Sequence, residues 1–157
     1  RFRVALPLAP AAPVQPVPLQ AGVEADLPLP ERVLLIDDEA IVAQGLSALM
    51  KTWGVDLLAA IDEPSAAAAL AQAHRQQRPV AVILSDMRLG QGVDGLQVAR
   101  RLQGQGGHRP ALVMITGETA PDRLRALEQA GLPVLFKPVD PLLLRRTLIE
   151  VVQANGP

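Results

Sequence analysis

The residues with the greatest capacity for chemistry in this chain come directly after apolar runs. Asp37 and Asp38 follow the first run, Asp86 follows the third, Thr116 ends the fourth and Lys137 ends the fifth. Three carboxylates gathered at one place repel each other unless a cation neutralises them, and an all-oxygen ligand set favours Mg²⁺. A lysine ammonium and a hydroxyl beside them would complete a pocket for a tetrahedral dianion, with one carboxylate available as a nucleophile.

Each of these residues also has a simpler interpretation. The acidic run that begins at Asp37 could cap the following helix, Asp86 alone could be an ordinary loop acid, and Thr116 could belong to a turn. Lys137 is more specific, because the chain contains 13 arginines and only 2 lysines. Lysine binds phosphate as a compact point charge, so its use at this position suggests a particular need.

Short apolar runs alternate with helical stretches over residues 31–154. The predicted strands are 33–36, 55–60, 80–84, 112–115 and 134–136, and the predicted helices are 40–53, 64–77, 95–103, 121–129 and 141–154. The runs are continuously apolar, which indicates strands covered on both faces, as in a parallel sheet. Five such units predict a doubly wound α/β domain, whose strand ends face one crevice.

Composition excludes several classes of function. The chain has 157 residues, a net charge of −1, no cysteine and 2 % aromatic residues. These values argue against a disulfide or thiolate metal site, against nucleic-acid binding and against recognition by aromatic stacking. No apolar run approaches the roughly 20 residues that span a bilayer, and we expect no signal peptide in this segment. We therefore expect a cytoplasmic segment that makes no membrane contact, although its parent protein could be membrane-anchored. The two histidines, His74 and His108, have no neighbouring ligand pattern and are expected at the surface.

Four blocks of sequence resemble the receiver domain of two-component response regulators. They read VLLIDDE from Val33, LSDMRL from Leu84, ITG from Ile115 and FKP from Phe136, in the order and at the strand ends that the family requires. The resemblance covers about residues 31–154. It implies a flavodoxin-like (βα)5 fold with strand order 2-1-3-4-5.

The resemblance also implies roles for the acidic residues. Asp86 corresponds to the phosphoacceptor and contributes to the metal site. Asp38 corresponds to the direct Mg²⁺ ligand and Asp37 to its water-mediated companion, while the backbone carbonyl of Arg88 completes the site. The implied reaction is transfer of a phosphoryl group from a kinase histidine to Asp86.

Two further residues correspond to parts of the family's conformational switch. Thr116 is similar to the hydroxyl that moves toward the phosphoryl group, and Lys137 is similar to its ion-pair partner; the bond to Pro138 is often cis in this family. The chain departs from the family where an aromatic residue is common, at Val134. It also departs in the loop 90–95, which lacks the usual proline and is about one residue longer than usual.

The first 30 residues contain seven of the 15 prolines. Residues 1–8 include FRVALP, which is similar to the final strand of histidine-kinase ATPase domains, and residues 9–30 are predicted to be a proline-rich linker. The chain begins with Arg and ends after the fifth predicted helix. We therefore expect the C-terminal receiver of a hybrid sensor histidine kinase, with a phospho-His domain in cis and a His-containing phosphotransfer protein as partners.

Three functional classes remain open from sequence. The preferred class is a phosphorelay receiver that catalyses its own phosphorylation and dephosphorylation but lacks a kinase core. The second is a receiver that mainly docks to or inhibits its own kinase, or a stand-alone regulator that acts as a phosphate sink. The third is an Asp-nucleophile phosphatase of the dehalogenase type, which is disfavoured because the first strand ends in D-D rather than D-x-D and no segment is long enough for a substrate cap.

Overall fold

A computed structural model describes residues 28–105, 109–117 and 121–155 of the chain. The predicted remnant 1–8, nearly all of the linker 9–30 and His108 lie outside these residues. The elements are β1 Arg32–Ile36, α1 Ala40–Thr52, β2 Asp56–Ala60, α2 Glu63–Arg75, β3 Val82–Asp86, α3 Gly95–Gln103, β4 Ala111–Thr116, α4 Pro121–Gln129, β5 Val134–Phe136 and α5 Pro141–Ala154. Within the described ranges, no helix has the length and apolar character needed to cross a bilayer.

The five strands form one parallel sheet with the order β2-β1-β3-β4-β5. This is the predicted flavodoxin-like order. The three central strands are buried along their whole length, whereas the edge strands β2 and β5 are partly exposed. Continuous runs of Val, Leu and Ile suit the central positions because helices cover both faces of the sheet there.

Successive side chains of β1 point to opposite faces of the sheet and enter different core clusters. Val33 and Leu35 belong to the cluster that α1 and α5 cover, whereas Leu34 and Ile36 belong to the cluster that α2 and α3 cover. All four side chains are fully buried. Burial of each contributes about 1.5–3 kcal/mol, so the two-sided core is the main force that fixes the sheet.

Side-chain caps and glycines mark several helix ends. Asp62 and Ser65 form a reciprocal capping box at the start of α2, and Asp140 caps α5 by accepting hydrogen bonds from two backbone N–H groups. Gly54 and Gly131, which follow the ends of α1 and α4, have φ angles of 76° and 72°. A residue without a Cβ adopts this left-handed conformation at little cost.

The segment between β3 and α3 contains a small hairpin that the sequence did not predict. Arg88–Leu89 and Val93–Asp94 pair antiparallel, and Gly90–Gly92 joins them in a short 3-10 turn. Gln91 and Gly92 adopt φ angles of 64° and 75° there. Two-residue strands carry no periodic pattern, so the segment was predicted only as a loop of unusual length.

Candidate functional site

Strand register brings the acidic residues to one edge of the sheet. Ile36 of β1 pairs with Ser85 of β3, so the next residues along each strand, Asp37 and Asp86, lie side by side. The backbone N–H of Asp37 donates to the carbonyl of Ala60 at 3.0 Å, which extends the sheet by one residue beyond β1. The two carboxylates are therefore held by strand backbone rather than by loops.

The same edge carries the predicted hydroxyl and ammonium groups. Thr116 of β4 pairs with Phe136 of β5, and Lys137 comes next. The backbone N–H of Lys137 donates to the carbonyl oxygen of Thr116 at 2.9 Å. Thr116 is buried, and the peptide bond between Lys137 and Pro138 is cis. Sheet pairing thus fixes both residues beside the acidic cluster.

Three carboxylates form a compact group at this edge. One oxygen from each of Asp37, Asp38 and Asp86 lies within 4.8 Å of the others. Asp37 and Asp86 are buried, whereas Asp38 is exposed. Arg88 lines the same pocket, and its backbone N–H donates to Oδ1 of Asp86 at 3.3 Å. The pocket therefore opens to solvent on the side of Asp38.

The donor set fits a hard divalent cation. Oδ2 of Asp37 is buried and lacks a hydrogen bond of good geometry among the described residues, although Nζ of Lys137 lies 3.1 Å away. A buried carboxylate oxygen in this condition is costly unless a cation or an ordered water satisfies it. All the available ligands are oxygens, and Mg²⁺ prefers few carboxylates together with several waters.

Lys137 is the centre of the electrostatics of the pocket. Its Nζ lies 3.0 Å from Oδ2 of Asp86, 3.1 Å from Oδ2 of Asp37 and 2.7 Å from Oε1 of Glu39. Partial burial disfavours the ammonium charge, but hydrogen bonds to Glu39 and Asp86 and the nearby carboxylate of Asp37 outweigh burial and raise the pKa of Lys137. The side chain therefore carries a positive charge across the physiological range of pH.

Asp37 is the carboxylate most affected by its surroundings. Burial raises its pKa, while the backbone N–H of Glu39 and the ammonium of Lys137 act in the opposite direction, and the nearby charge of Asp86 adds to the increase. The net direction is upward. A cation bound here would relieve both the burial cost and the repulsion between the carboxylates.

The prediction from sequence missed two residues of the site. Glu39 was treated only as part of an acidic run that could cap α1, yet its side chain makes no capping hydrogen bond and instead pairs with Lys137. Gly95 begins α3, and a Cβ on it would lie 1.7 Å from the carbonyl oxygen of Asp86. The length of the acidic run was a signal for Glu39, but no pattern in the sequence pointed to the close approach at Gly95.

Comparison with known proteins shows the family to which the chain is similar. Residues 33–149 match the family described as response regulator receiver domain. The chain is 33 % identical over 111 residues to the transcriptional regulatory protein AruR of Pseudomonas aeruginosa, covering 70 % of this chain and 44 % of that protein. It is 30 % identical over 135 residues to the probable transcriptional regulatory protein TcrX of Mycobacterium tuberculosis, covering 81 % and 55 %. The chain thus spans about half the length of the curated relatives it matches.

Solved structures show the same fold. The chemotaxis protein CheY4 of Vibrio cholerae superimposes with a TM-score of 0.62 at 28 % identity, covering 76 % of this chain and 97 % of that one. A response regulator receiver domain protein from Clostridium thermocellum gives a TM-score of 0.64 at 22 % identity, covering 78 % and 94 %. Since the family match covers most of the chain and the fold agrees, the chain belongs to the response regulator receiver domain family of two-component signalling.

Proposed function

We propose that this domain accepts a phosphoryl group on Asp86 from the phosphohistidine of a histidine kinase. One observation carries the proposal: the buried carboxylate of Asp86 lies between the ammonium of Lys137, at 3.0 Å, and two further carboxylates. A nucleophile, a cation-binding oxygen cluster and a fixed positive charge are the components that in-line phosphoryl transfer requires.

In the proposed reaction, an oxygen of Asp86 attacks phosphorus and the N–P bond of phosphohistidine breaks. The electron pair of that bond stays on the imidazole nitrogen, and a proton on the other ring nitrogen leaves the histidine neutral. The product on this chain is an acyl phosphate. Water attack on its phosphorus returns Asp86 and inorganic phosphate, so the same pocket also supports dephosphorylation.

The chain's other residues hold charge around the reacting group. Asp37, Asp38 and the carbonyl of Arg88, together with Asp86 itself, would hold Mg²⁺, which neutralises phosphoryl oxygens when bound. Lys137 stabilises a further oxygen through its ammonium. These assignments are supported by the compact oxygen cluster and by the orphaned Oδ2 of Asp37.

Thr116 is proposed to convert the chemistry into a change of shape. Its hydroxyl moves toward a phosphoryl oxygen on Asp86, and the face formed by α4 and β5 rearranges with it. Val134 occupies the position where an aromatic side chain is common in the family, so this rearrangement proceeds without an aromatic rotamer change. Thr116 is buried at the end of β4 and pairs with Phe136 of β5, so a shift of Thr116 would be transmitted to β5, which supports this role.

Incubation with acetyl phosphate and Mg²⁺, followed by intact-mass measurement, tests the proposal. We expect one added phosphoryl group in the native protein and none in Asp86→Asn. Glu128→Gln, an exposed change in α4, is the matched control and is expected to be labelled like the native protein. Equal labelling of Asp86→Asn and the native protein would remove the acceptor assignment.

We also propose that this receiver is part of a hybrid sensor histidine kinase that phosphorylates it in cis and passes the group to a His-containing phosphotransfer protein. The support is the FRVALP segment from Phe2 and the proline-rich residues 9–30 that separate it from the receiver at 31–154. The relatives named as transcriptional regulators favour a different attachment. Sequencing the transcript upstream of the Arg1 codon tests this: ATP-binding and His-containing helical motifs in frame support the hybrid kinase, and a nearby start codon contradicts it.

A further inference from the structure

Glu39 occupies a position in the pocket that neither the acceptor chemistry nor helix capping explains. Its Oε1 accepts a hydrogen bond from Nζ of Lys137 at 2.7 Å, the shortest of the three carboxylate contacts to that ammonium. The side chain of Glu39 is 55 % exposed, whereas that of Lys137 is 18 % exposed. An exposed carboxylate therefore closes over a largely buried ammonium from the solvent side.

This arrangement places Glu39 where an incoming anion would approach Lys137. The other two contacts of the ammonium, to Asp37 and Asp86, come from buried residues at the base of the pocket. The pocket that opens above them is lined by Asp38, Glu39, Asp86, Arg88, Thr116, Gly117 and Lys137. The ammonium has three N–H donors and three carboxylate neighbours, so a phosphoryl oxygen on Asp86 competes with them for a donor, and Glu39 is the exposed partner.

We infer that Glu39 competes with the phosphoryl group for the ammonium of Lys137 and so lowers the affinity of the pocket for a tetrahedral dianion. In the unphosphorylated state Glu39 neutralises Lys137 from above. In the phosphorylated state Glu39 releases Lys137 and turns into solvent, which costs little because its side chain is already half exposed. Glu39 is thus a positioning residue that sets how strongly the phosphorylated state is favoured.

The inference rests on the proposed function, since it concerns the anion that Asp86 would carry. Beryllofluoride, a tetrahedral phosphoryl mimic, is the probe, and its affinity is measured by titration calorimetry at saturating Mg²⁺. We expect Glu39→Gln to bind beryllofluoride about two- to fivefold more tightly than the native protein, the range expected when a partly exposed ion pair is removed. Glu128→Gln, which removes the same charge from an exposed site outside the pocket, is expected to match the native protein.

A second variant separates competition for Lys137 from simple repulsion between charges. Glu39→Asp keeps the negative charge but ends one methylene short of the ammonium. Lys137 is held by Asp37 and Asp86 at 3.1 and 3.0 Å and is not free to follow. Competition predicts tighter binding in both Glu39→Gln and Glu39→Asp, whereas repulsion predicts it in Glu39→Gln alone.

The outcomes distinguish this inference from the proposed function. If the native protein binds no beryllofluoride with Mg²⁺ present, the proposed acceptor site is wrong. If the native protein binds it and Glu39→Gln binds it equally or more weakly, only the role of Glu39 is overturned. Tighter binding in Glu39→Gln with native affinity in Glu39→Asp would also overturn that role, because charge alone would then account for the effect.

Discussion

The ammonium of Lys137 lies within 3.1 Å of carboxylate oxygens from Asp37, Glu39 and Asp86. Asp38 adds a fourth carboxylate to the same pocket. Because one oxygen from each of Asp37, Asp38 and Asp86 lies within 4.8 Å of the others, folding without a metal holds like charges together at an energetic cost. A divalent cation would relieve this cost. The candidate site therefore lowers the stability of the protein when no metal is bound.

Repulsion among these carboxylates predicts how Mg²⁺ and the removal of one charge each change the stability of the protein. Mg²⁺ at a hundred times its Kd is expected to stabilise the native protein by about 2.7 kcal/mol. Asp38→Ala is expected to abolish that increase while leaving stability without metal equal to or above that of the native protein, because one repelling charge has gone. Thermal unfolding with Mg²⁺ or with chelator measures both effects, and an unchanged Tm of the native protein on adding Mg²⁺ would contradict the metal site.

The close approach at Gly95 predicts that the effect of a glycine-to-alanine substitution on stability depends on its position. A Cβ at Gly95 would meet the carbonyl oxygen of Asp86 at 1.7 Å, whereas a Cβ at Gly45 in α1 would meet nothing within 4 Å. Gly95→Ala is expected to destabilise the domain by about 1–3 kcal/mol, as overpacking does. Gly45→Ala is the control and is expected to stabilise it by about 0.5–1 kcal/mol. Urea unfolding of both variants checks the pair, and equal effects would contradict the close approach.

At the level of helices and strands, the alternation of apolar runs with helical stretches was sufficient to predict the five strands of the parallel sheet and the five helices. The predicted helices 95–103, 121–129 and 141–154 agree with the structure at both ends, whereas α2 begins at Glu63 and β3 at Val82. Element ends depend on individual hydrogen bonds, such as the capping box of Asp62, which a periodic pattern does not encode. The hairpin before α3 was missed for the same reason.

The site was predictable to the extent that it depends on strand ends. Register alone places Asp37 beside Asp86 and Thr116 beside Lys137, and both follow from parallel pairing. The contact between Glu39 and Lys137 joins residues 98 positions apart and depends on side-chain conformation, so no sequence pattern contained it.

The capping box at the start of α2 predicts a pH dependence of stability. Hydrogen bonds from the hydroxyl and the backbone N–H of Ser65 lower the pKa of Asp62 in the folded state. A lowered folded pKa contributes stability that is fully present above the unfolded value of about 3.9 and is lost as pH falls through the folded value. The stability difference between the native protein and Asp62→Ala is therefore expected to be constant near neutral pH and to shrink below about pH 4.

Urea unfolding across a pH series measures this difference. Asp122→Ala, which removes an exposed acid from the first turn of α4, controls for the change in net charge. A difference between Asp62→Ala and the native protein that stays constant into strongly acidic solution would contradict the role of the ionised cap.

At the scale of the whole molecule, buried polar groups have different surroundings at the amino ends of the strands, here called the amino edge of the sheet, and at the carboxyl ends, the carboxyl edge. At the amino edge, the buried side chain of Arg32 donates to Asp56 at 2.9 Å and to Gln76 at 2.8 Å. At the carboxyl edge, Oδ2 of Asp37 lacks a well-formed hydrogen bond among the described residues, and the carboxylates of Asp37, Glu39 and Asp86 share the ammonium of Lys137. A network with all its hydrogen bonds made stabilises a fold, whereas buried polar atoms without partners are expected where a ligand would bind.

The point at which the packed domain begins leads to a prediction about the stability of the whole molecule. Leu29 packs against the core and the carbonyl of Glu31 accepts a hydrogen bond from the backbone of Asp56, so the packed unit includes residue 29. Removal of residues 1–28 is expected to change the free energy of unfolding by no more than about 0.5 kcal/mol, as for changes outside a core. Urea unfolding of the full and shortened chains checks this, and a large loss would mean that the segment belongs to the receiver.

The central claim is that Asp86 itself carries the phosphoryl group, and borohydride trapping tests it most directly. An acyl phosphate is reduced by borohydride to an alcohol, which converts the acceptor aspartate to homoserine, whereas an unmodified carboxylate is not reduced. After treatment with acetyl phosphate and Mg²⁺, peptide mapping is expected to find homoserine at position 86 and aspartate at positions 37 and 38. Homoserine at position 37 or 38, or at no position in a protein whose mass shows the added group, would contradict the account.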